Sequence, residues 1–400
     1  MISFELSEQQ QQIKEMTHWF AENEIRPISL EADRLGYVPE NWLEKVNQFG
    51  IQLNTSSISN SKNESANKRG EREGNRMAVI ATEELAWGDP AVALSLPGAG
   101  LGGPPIQSSG TQEQKERFLT IFKNDKPRWG AYALTEPEAG SDASNIQTIA
   151  TKVDGGYLIN GQKIFITNGG RASWVVVFAT VDPSLGRAGQ RAFVVEKGTP
   201  GFTCSRLVEK MGLRANETAE LLFEDCFVPI DNLLGGEELY EKKNSKRSGF
   251  QTAMQTFDST RPIVASMAIG IARAAYEYTL DIVRQGFPVH GKYHKMTAEM
   301  FAEMEGMINA ARLLTWEAAW KADQGIPNAK EAAICKAVAG KMALDVCSKS
   351  LELLGPIGLE GHIVEKLFRD VKVFDLFEGT NEIQHLVIAR RQYEPYGIRV

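Results

Sequence analysis

Tyr157-Leu158-Ile159-Asn160-Gly161-Gln162-Lys163-Ile164-Phe165-Ile166-Thr167-Asn168-Gly169-Gly170 is the stretch on which the fold turns. Its β-branched and aromatic residues come in short runs, punctuated by Asn-Gly pairs that suit tight turns. Asp154-Gly155-Gly156 stands just before it, and the apolar run Trp174 to Ala179 follows. Short strands at this spacing predict an antiparallel sheet or barrel from about Trp129 to Gly235.

On both sides the pattern becomes helical. Ser7 and Gln10 fit a capping box, and Ile13, Met16 and Phe20 then recur as a core-facing stripe would. Residues 55–76 are polar and read as an exposed loop. After the charged stretch Glu237 to Arg247, Thr260-Arg261-Pro262 is expected to open a helix with proline in its first turn, reaching about Arg284. Further helices are expected over 297–323 and 329–353, with a last one from near Thr380. The predicted fold class is α+β and multidomain. It comprises an N-terminal helical domain (1–127), a middle antiparallel β domain (128–236) and a C-terminal four-helix bundle (247–400).

The chain has 400 residues, 42% of them hydrophobic and 24% charged, enough for several cores of a globular protein. A net charge of -7 argues against nucleic-acid binding, which rests on Lys and Arg, and gives no pull toward an anionic membrane. The longest uncharged run, between Asp89 and Glu113, holds four prolines and five glycines, so it makes a poor membrane helix. No secretory or transit signal is visible, and a cytoplasmic location is expected. The four cysteines form no CxxC pair and the five histidines no HExxH motif, so no metal site is expected.

Gly98-x-Gly100-x-x-Gly103 matches a dinucleotide fingerprint letter for letter. That fingerprint needs a strand before it and a helix after it, and Pro104-Pro105 disfavours the helix, so a tight turn is the better reading. Tyr132-Ala133-Leu134-Thr135-Glu136-Pro137-Glu138-Ala139-Gly140-Ser141-Asp142 leaves a strand for a loop of hydroxyls and glycine. Such a loop suits a flat polar ring, a phosphate or plain solvent. Glu378 follows the apolar-aromatic run Val373-Phe374-Asp375-Leu376-Phe377. On the residues alone it is a carboxylate beside a helix N-terminus.

Five of these stretches, taken in order, resemble the acyl-CoA dehydrogenases. They are Thr135-Glu136-Pro137 with Ala139–Asp142, Gly161–Gly169, Phe257-Asp258-Ser259-Thr260-Arg261-Pro262, Phe368-Arg369-Asp370, and Phe377-Glu378-Gly379-Thr380-Asn381-Glu382-Ile383-Gln384. The resemblance implies FAD, an acyl-CoA thioester as substrate, an electron-transfer flavoprotein as partner and a homotetramer. It also implies Glu378 as the base that removes a proton α to the thioester. A base in such a place must be poorly solvated, because desolvation lifts a carboxylate's pKa toward working pH. The alternative base position of some members falls on Thr260, which cannot serve.

By the same resemblance Tyr132, Leu134, Thr135, Gly140, Ser141, Phe165 and Thr167 surround the flavin, and Thr380 and Glu382 touch the cofactor. Arg284 and Phe287 of a partner subunit, with His294 and the 352–356 segment (Glu352, Gly355), would meet its pyrophosphate and adenine end. Ser141, Asp258, Arg261, Gly379 and Arg390 would meet CoA. Lys295 and Glu352 stand where the family has glutamines, and are expected to compensate each other across the subunit contact. The segment Ala91 to Pro105 should line the acyl pocket. It carries no arginine, which argues against a decarboxylating, glutaryl-type specialisation. Two other readings remain open: a flavin oxidase or monooxygenase on the same fold, and a non-catalytic binding protein stabilised by flavin.

Overall fold

The computed structural model describes residues 2–48, 73–123, 126–241, 249–286 and 294–396. Helices come first. They are α1 (Glu8–Phe20), α2 (Arg26–Leu35), α3 (Glu40–Gln48), α4 (Gly74–Gly88), α5 (Pro90–Ser95), α6 (Gly103–Ser109) and α7 (Gln112–Leu119). The Ser7–Gln10 capping box forms: Gln10 N–H donates to Ser7 Oγ at 3.3 Å and Ser7 N–H to Gln10 Oε1 at 3.1 Å. The stripe on α1 differs from expectation. Phe20 is buried, but Met16 is 68% exposed, and the inward face runs instead through Gln10, Ile13, Thr17 and Phe20. Most of the 55–76 segment lies outside the described residues, and α4 already begins at Gly74.

Seven strands follow: β1 (Gly130–Ala133), β2 (Ile149–Val153), β3 (Gly156–Thr167), β4 (Trp174–Thr180), β5 (Gln190–Glu196), β6 (Phe202–Leu207) and β7 (Thr218–Pro229). They form one sheet in the order β1-β4-β2-β3-β7-β6, with β5 also on β4. Pairing is mainly antiparallel, but β1 runs parallel to β4, joined through the β2–β3 hairpin, a crossover long enough for parallel pairing. Asn160-Gly161 is not a turn: β3 passes through it as a bulge against β7. A second irregularity, between Lys163 and Ile166, holds Phe165 in the left-handed region at φ 61°.

The glycine-rich turn at 98–103 packs against this sheet. A Cβ on Gly102 would lie 2.5 Å from the Ala131 carbonyl oxygen and from Trp174, so strand contact explains that glycine. The expectation that Pro104-Pro105 disfavours a helix there is corrected. Both prolines sit in the first turn of α6, where the missing N–H is not needed.

The C-terminal part comprises α8 (Glu238–Glu241), α9 (Gly249–Arg284), α10 (His294–Asp323), α11 (Ala329–Leu354), α12 (Ile363–Val371) and α13 (Asn381–Tyr393). Helices α9, α10, α11 and α13 pack as the bundle, and α4 lies along α9. Helix α9 does not open at Thr260: it begins at Gly249, and Pro262 lies inside it. The proline offers no N–H to the Asp258 carbonyl. Burial of Thr256, Thr260 and Ile263 through Ile271 holds the helix together across that gap. Helix α12, absent from the sequence reading, presents Ile363, Val364, Leu367 and Val371 to the core.

One buried ionic knot ties the two helical parts together. Lys366 of α12 bonds Asp89, at the start of α5, and Asp370 at 2.6 Å, with all three side chains at or below 1% exposure. Asp370 in turn accepts the Leu213 N–H at 2.6 Å, which brings in the strand domain. No described helix is long and apolar enough to cross a membrane.

Candidate active site

Glu378 sits in a short turn between Phe374-Phe377, two rings packed edge to face at 4.9 Å, and the start of α13. Its φ is 54°, and Gly379 follows at φ 93°, so two successive residues are left-handed. For a glutamate that conformation is strained and persists only if its surroundings impose it. They do. Gln384 Nε2 donates to the Glu378 and Gly379 carbonyls at 3.1 and 2.9 Å, and Lys336 Nζ to the Gly379 carbonyl at 2.7 Å. Thr380 caps α13 by accepting the Ile383 N–H at 3.4 Å.

The carboxylate points at α9. Thr260 Oγ1 donates to Glu378 Oε2 at 2.6 Å. Burial pushes the Glu378 carboxyl up to about 7, although the Thr260 hydroxyl and the charges of Arg261 and Lys336 pull it down. Arg261 is 4% exposed and pairs with Asp258 at 2.8 Å, while its Nε has no hydrogen-bond partner among the described residues. Asp258 is itself raised by burial, against the pull of Arg261.

Across from this turn, β1 contributes Tyr132. Its ring lies 5.0 Å from Phe178 and 5.9 Å from Phe257, and its hydroxyl is buried without a partner among the described residues. Burial first, and then the Glu378 charge, push the phenol well up. The loop after β1 is fixed from within. Lys163 Nζ bonds Glu136 at 2.7 Å and the Leu134 carbonyl at 3.0 Å, and Glu136 accepts the Thr148 N–H at 2.9 Å. Burial brings Lys163 down to about 8; Glu136, despite its own burial, is held below its ordinary range by Lys163 and these bonds. Glu136 is thus a scaffold group. Gly140 and Ser141 face outward, with open space over Gly140. The Ile164 N–H bonds the Thr135 carbonyl at 2.9 Å, Phe165 is 59% exposed, and Thr167 pairs with Thr218 at the end of β3.

The chain brings Tyr132, Asp258, Thr260, Arg261, Glu378, Gly379 and Thr380 around one point. It does not bring all the candidates there. Arg284 ends α9, roughly 36 Å from Thr260 at the helical rise per residue. Its side chain is 70% exposed and 4.0 Å from Asp281. Glu352 is exposed near the end of α11, and Gly355 caps that helix at φ 56°. Lys295 faces Glu299 on its own helix at 3.7 Å. Glu382 is exposed on the first turn of α13, its carboxyl lowered by the backbone N–H and the Thr380 hydroxyl there. Arg390 is exposed near the end of α13. Phe287 and the His294 side chain lie outside the described residues. Ser95, in the segment expected to line the acyl pocket, donates to the Ala91 carbonyl at 2.8 Å and is buried. No group of acidic, histidine and cysteine side chains among the described residues could hold a metal.

Two contributors escaped the sequence. Thr260 cannot act as a base, yet its hydroxyl bonds the Glu378 carboxylate. Lys336 is a lone cation among small buried residues (Ala332, Ala333, Cys335, Ala339, Gly340), and that mismatch was the available signal.

A helical–sheet–helical chain with a half-buried glutamate between its last two elements defines a class, and the comparisons name it. Residues 7–122, 131–226 and 247–393 match the N-terminal, middle and C-terminal domains described for acyl-CoA dehydrogenase, and the chain belongs to that family. It is 37% identical over 395 residues to the short-chain specific acyl-CoA dehydrogenase of Clostridium acetobutylicum, covering 97% of this chain and 99% of that one. It is 39% identical over 394 residues to the enzyme so named from Megasphaera elsdenii, covering 96% and 98%. The solved butyryl-CoA dehydrogenase of Megasphaera elsdenii superposes with a TM-score of 0.86 at 35% identity, covering 98% of this chain and all of that one.

Proposed function

We propose that this chain is an FAD enzyme that converts a short-chain acyl-CoA to the trans-2-enoyl-CoA and passes its electrons to an electron-transfer flavoprotein. The observation that carries the proposal is Glu378: a carboxylate raised toward neutrality, held in a strained turn opposite Tyr132 and beside Arg261. Membership of the family and the short-chain specific relatives support the substrate class. A solved structure reported for the electron transferring flavoprotein of Acidaminococcus fermentans resembles this chain at 33% identity over 98% of its length, which supports the acceptor.

The residues present fit a flavin. A buried phenol oxygen with no partner among the described residues, an exposed aromatic ring held at left-handed φ and open space over Gly140 suit a large flat polar group. Tyr132, Leu134, Thr135, Gly140, Ser141, Phe165 and Thr167 would hold the ring end, with Thr380 and Glu382 near it. Arg284, Phe287, His294, Glu352 and Gly355 would serve the other end of a cofactor in a neighbouring subunit of a homotetramer. The bound flavin supplies the acceptor for the hydride that leaves Cβ.

The chain's own residues do the rest. Asp258, Arg261 and Arg390, with Ser141 and Gly379, would hold the CoA moiety and bring the acyl group between the ring and Glu378. Ionised Glu378 takes the α-proton, which only a poorly solvated base of raised pKa does well. The Glu378 N–H would polarise the thioester oxygen as negative charge develops there. The site residues come from the middle and C-terminal sequence units (128–236 and 247–400), and the enzyme is placed in the cytoplasm.

Mixing the purified yellow protein with butyryl-CoA without oxygen tests the proposal. Bleaching of the flavin absorbance is expected in the wild type and not in Glu378→Gln. Rapid oxygen uptake without added acceptor would instead favour an oxidase.

A further inference from the structure

We propose that Lys336 is a positioning residue for the base: its ammonium holds the left-handed turn that carries Glu378 and places a positive charge beneath the carboxylate. The inference rests on Glu378 being the base. Lys336 projects from α11 about two turns after its start at Ala329, and its side chain is buried. A buried ammonium needs compensation, since burial alone costs several kcal/mol. Its ammonium donates to a backbone oxygen, that of Gly379, at 2.7 Å, rather than to a carboxylate among the described residues. A neutral side chain would serve as well if one hydrogen bond were the whole purpose.

The charges around it show what the cation adds. Asp375 lies on the turn before Glu378, Glu382 opens α13, and Arg261 with its partner Asp258 faces from α9; Thr260 and Tyr132 complete the surroundings of the carboxylate. Lys336 feels Asp375, Glu378 and Glu382 as attraction and Arg261 as repulsion, and burial brings its own proton affinity down to about 8. It therefore still carries its charge at pH 7, where the base must be ionised. Gly340, one turn further along α11, lets the same helix approach the Phe374 carbonyl, where an added Cβ would lie 2.9 Å away. Helix α11 thus supports the turn at two successive levels, through contact at Gly340 and through charge at Lys336.

The test uses the FAD-loaded enzyme and three variants. Lys336→Met removes bond and charge, Lys336→Gln keeps a donor without the charge, and Lys336→Arg keeps the charge. In the two neutral variants the acidic limb of kcat/KM should move up by roughly half a pH unit to one unit, so that turnover at pH 6 drops about three- to tenfold more than at pH 9. FAD binding and KM should change little, and Lys336→Arg should return the limb toward wild type. If Lys336→Met does not fold, Lys336→Gln decides. A limb unmoved in the neutral variants, with Glu378→Gln inactive, overturns the role of Lys336 alone. Turnover retained by Glu378→Gln overturns the base assignment and this role with it.

Discussion

Thr260 Oγ1 lies 2.6 Å from Glu378 Oε2, joining the long helix α9 to the turn before α13 across 118 residues of sequence. A hydroxyl donating to a carboxylate favours its ionised form. Thr260 is therefore a brake on the pKa that burial raises. Replacing it with valine keeps the shape and removes the donor. The acidic limb of kcat/KM should rise by roughly one pH unit, since bonds to charged groups carry about 1.5–3 kcal/mol. A pH profile of Thr260→Val checks this, and an unmoved limb would show that the bond is not kept in the working enzyme.

The wild-type profile has its own expected sign. Proton abstraction needs the carboxylate, and the Glu378 carboxyl sits at about 7, so kcat/KM should fall as pH drops through neutrality. Steady-state rates with butyryl-CoA from pH 5.5 to 9 measure this. A profile flat to pH 5.5 contradicts a raised base.

Glu378→Gln should lower flavin reduction by about a thousandfold while leaving the bound-FAD spectrum intact. It should also change stability with a definite sign. An acid whose folded pKa lies above its ordinary value of 4.5 costs stability as pH rises from about that value through 7, because ionising it in place is unfavourable. Thermal melts should therefore place the variant above wild type at pH 8, with the gap closing toward pH 4.5.

Gly379→Ala tests the turn. At φ 93° a side chain is strained, and its Cβ would meet Gln384 Nε2 at 2.6 Å, the amide that holds the Glu378 and Gly379 carbonyls. A loss of about 1–2 kcal/mol in stability is expected. Single-turnover flavin reduction should suffer more than the melting temperature, because the base is displaced with the turn.

Lys366→Met would leave Asp89 and Asp370 facing each other in the core without their cation. Removing one partner of a buried ionic group typically costs about 3–5 kcal/mol. Denaturant unfolding should show that loss at alkaline pH, and it should lessen as pH falls, because burial raises the Asp370 carboxyl and its protonation relieves the repulsion.

Much of this architecture was legible in the residues. Turn chemistry at Asp154–Gly156 and Asn168–Gly170 marked the strand domain, and Ser7 with Gln10 marked the first helix start. What failed did so for physical reasons. Asn160-Gly161 has the letters of a turn, but pairing with β7 on both sides turned it into a bulge. Pro262 has the position of a helix opener, but buried packing carried α9 through it. Thr260 and Lys336 could not be tied to Glu378 from spacing, because both contacts join elements far apart in sequence, and only the folded bundle sets their distance.

A chain optimised only to fold would put glycine or asparagine at 378, where the backbone curls the wrong way for a long side chain. On the proposed role, the carboxylate there serves turnover at a cost to the backbone. The substitution most welcome to the backbone at that position is also the one that would leave a well-folded, yellow, idle protein.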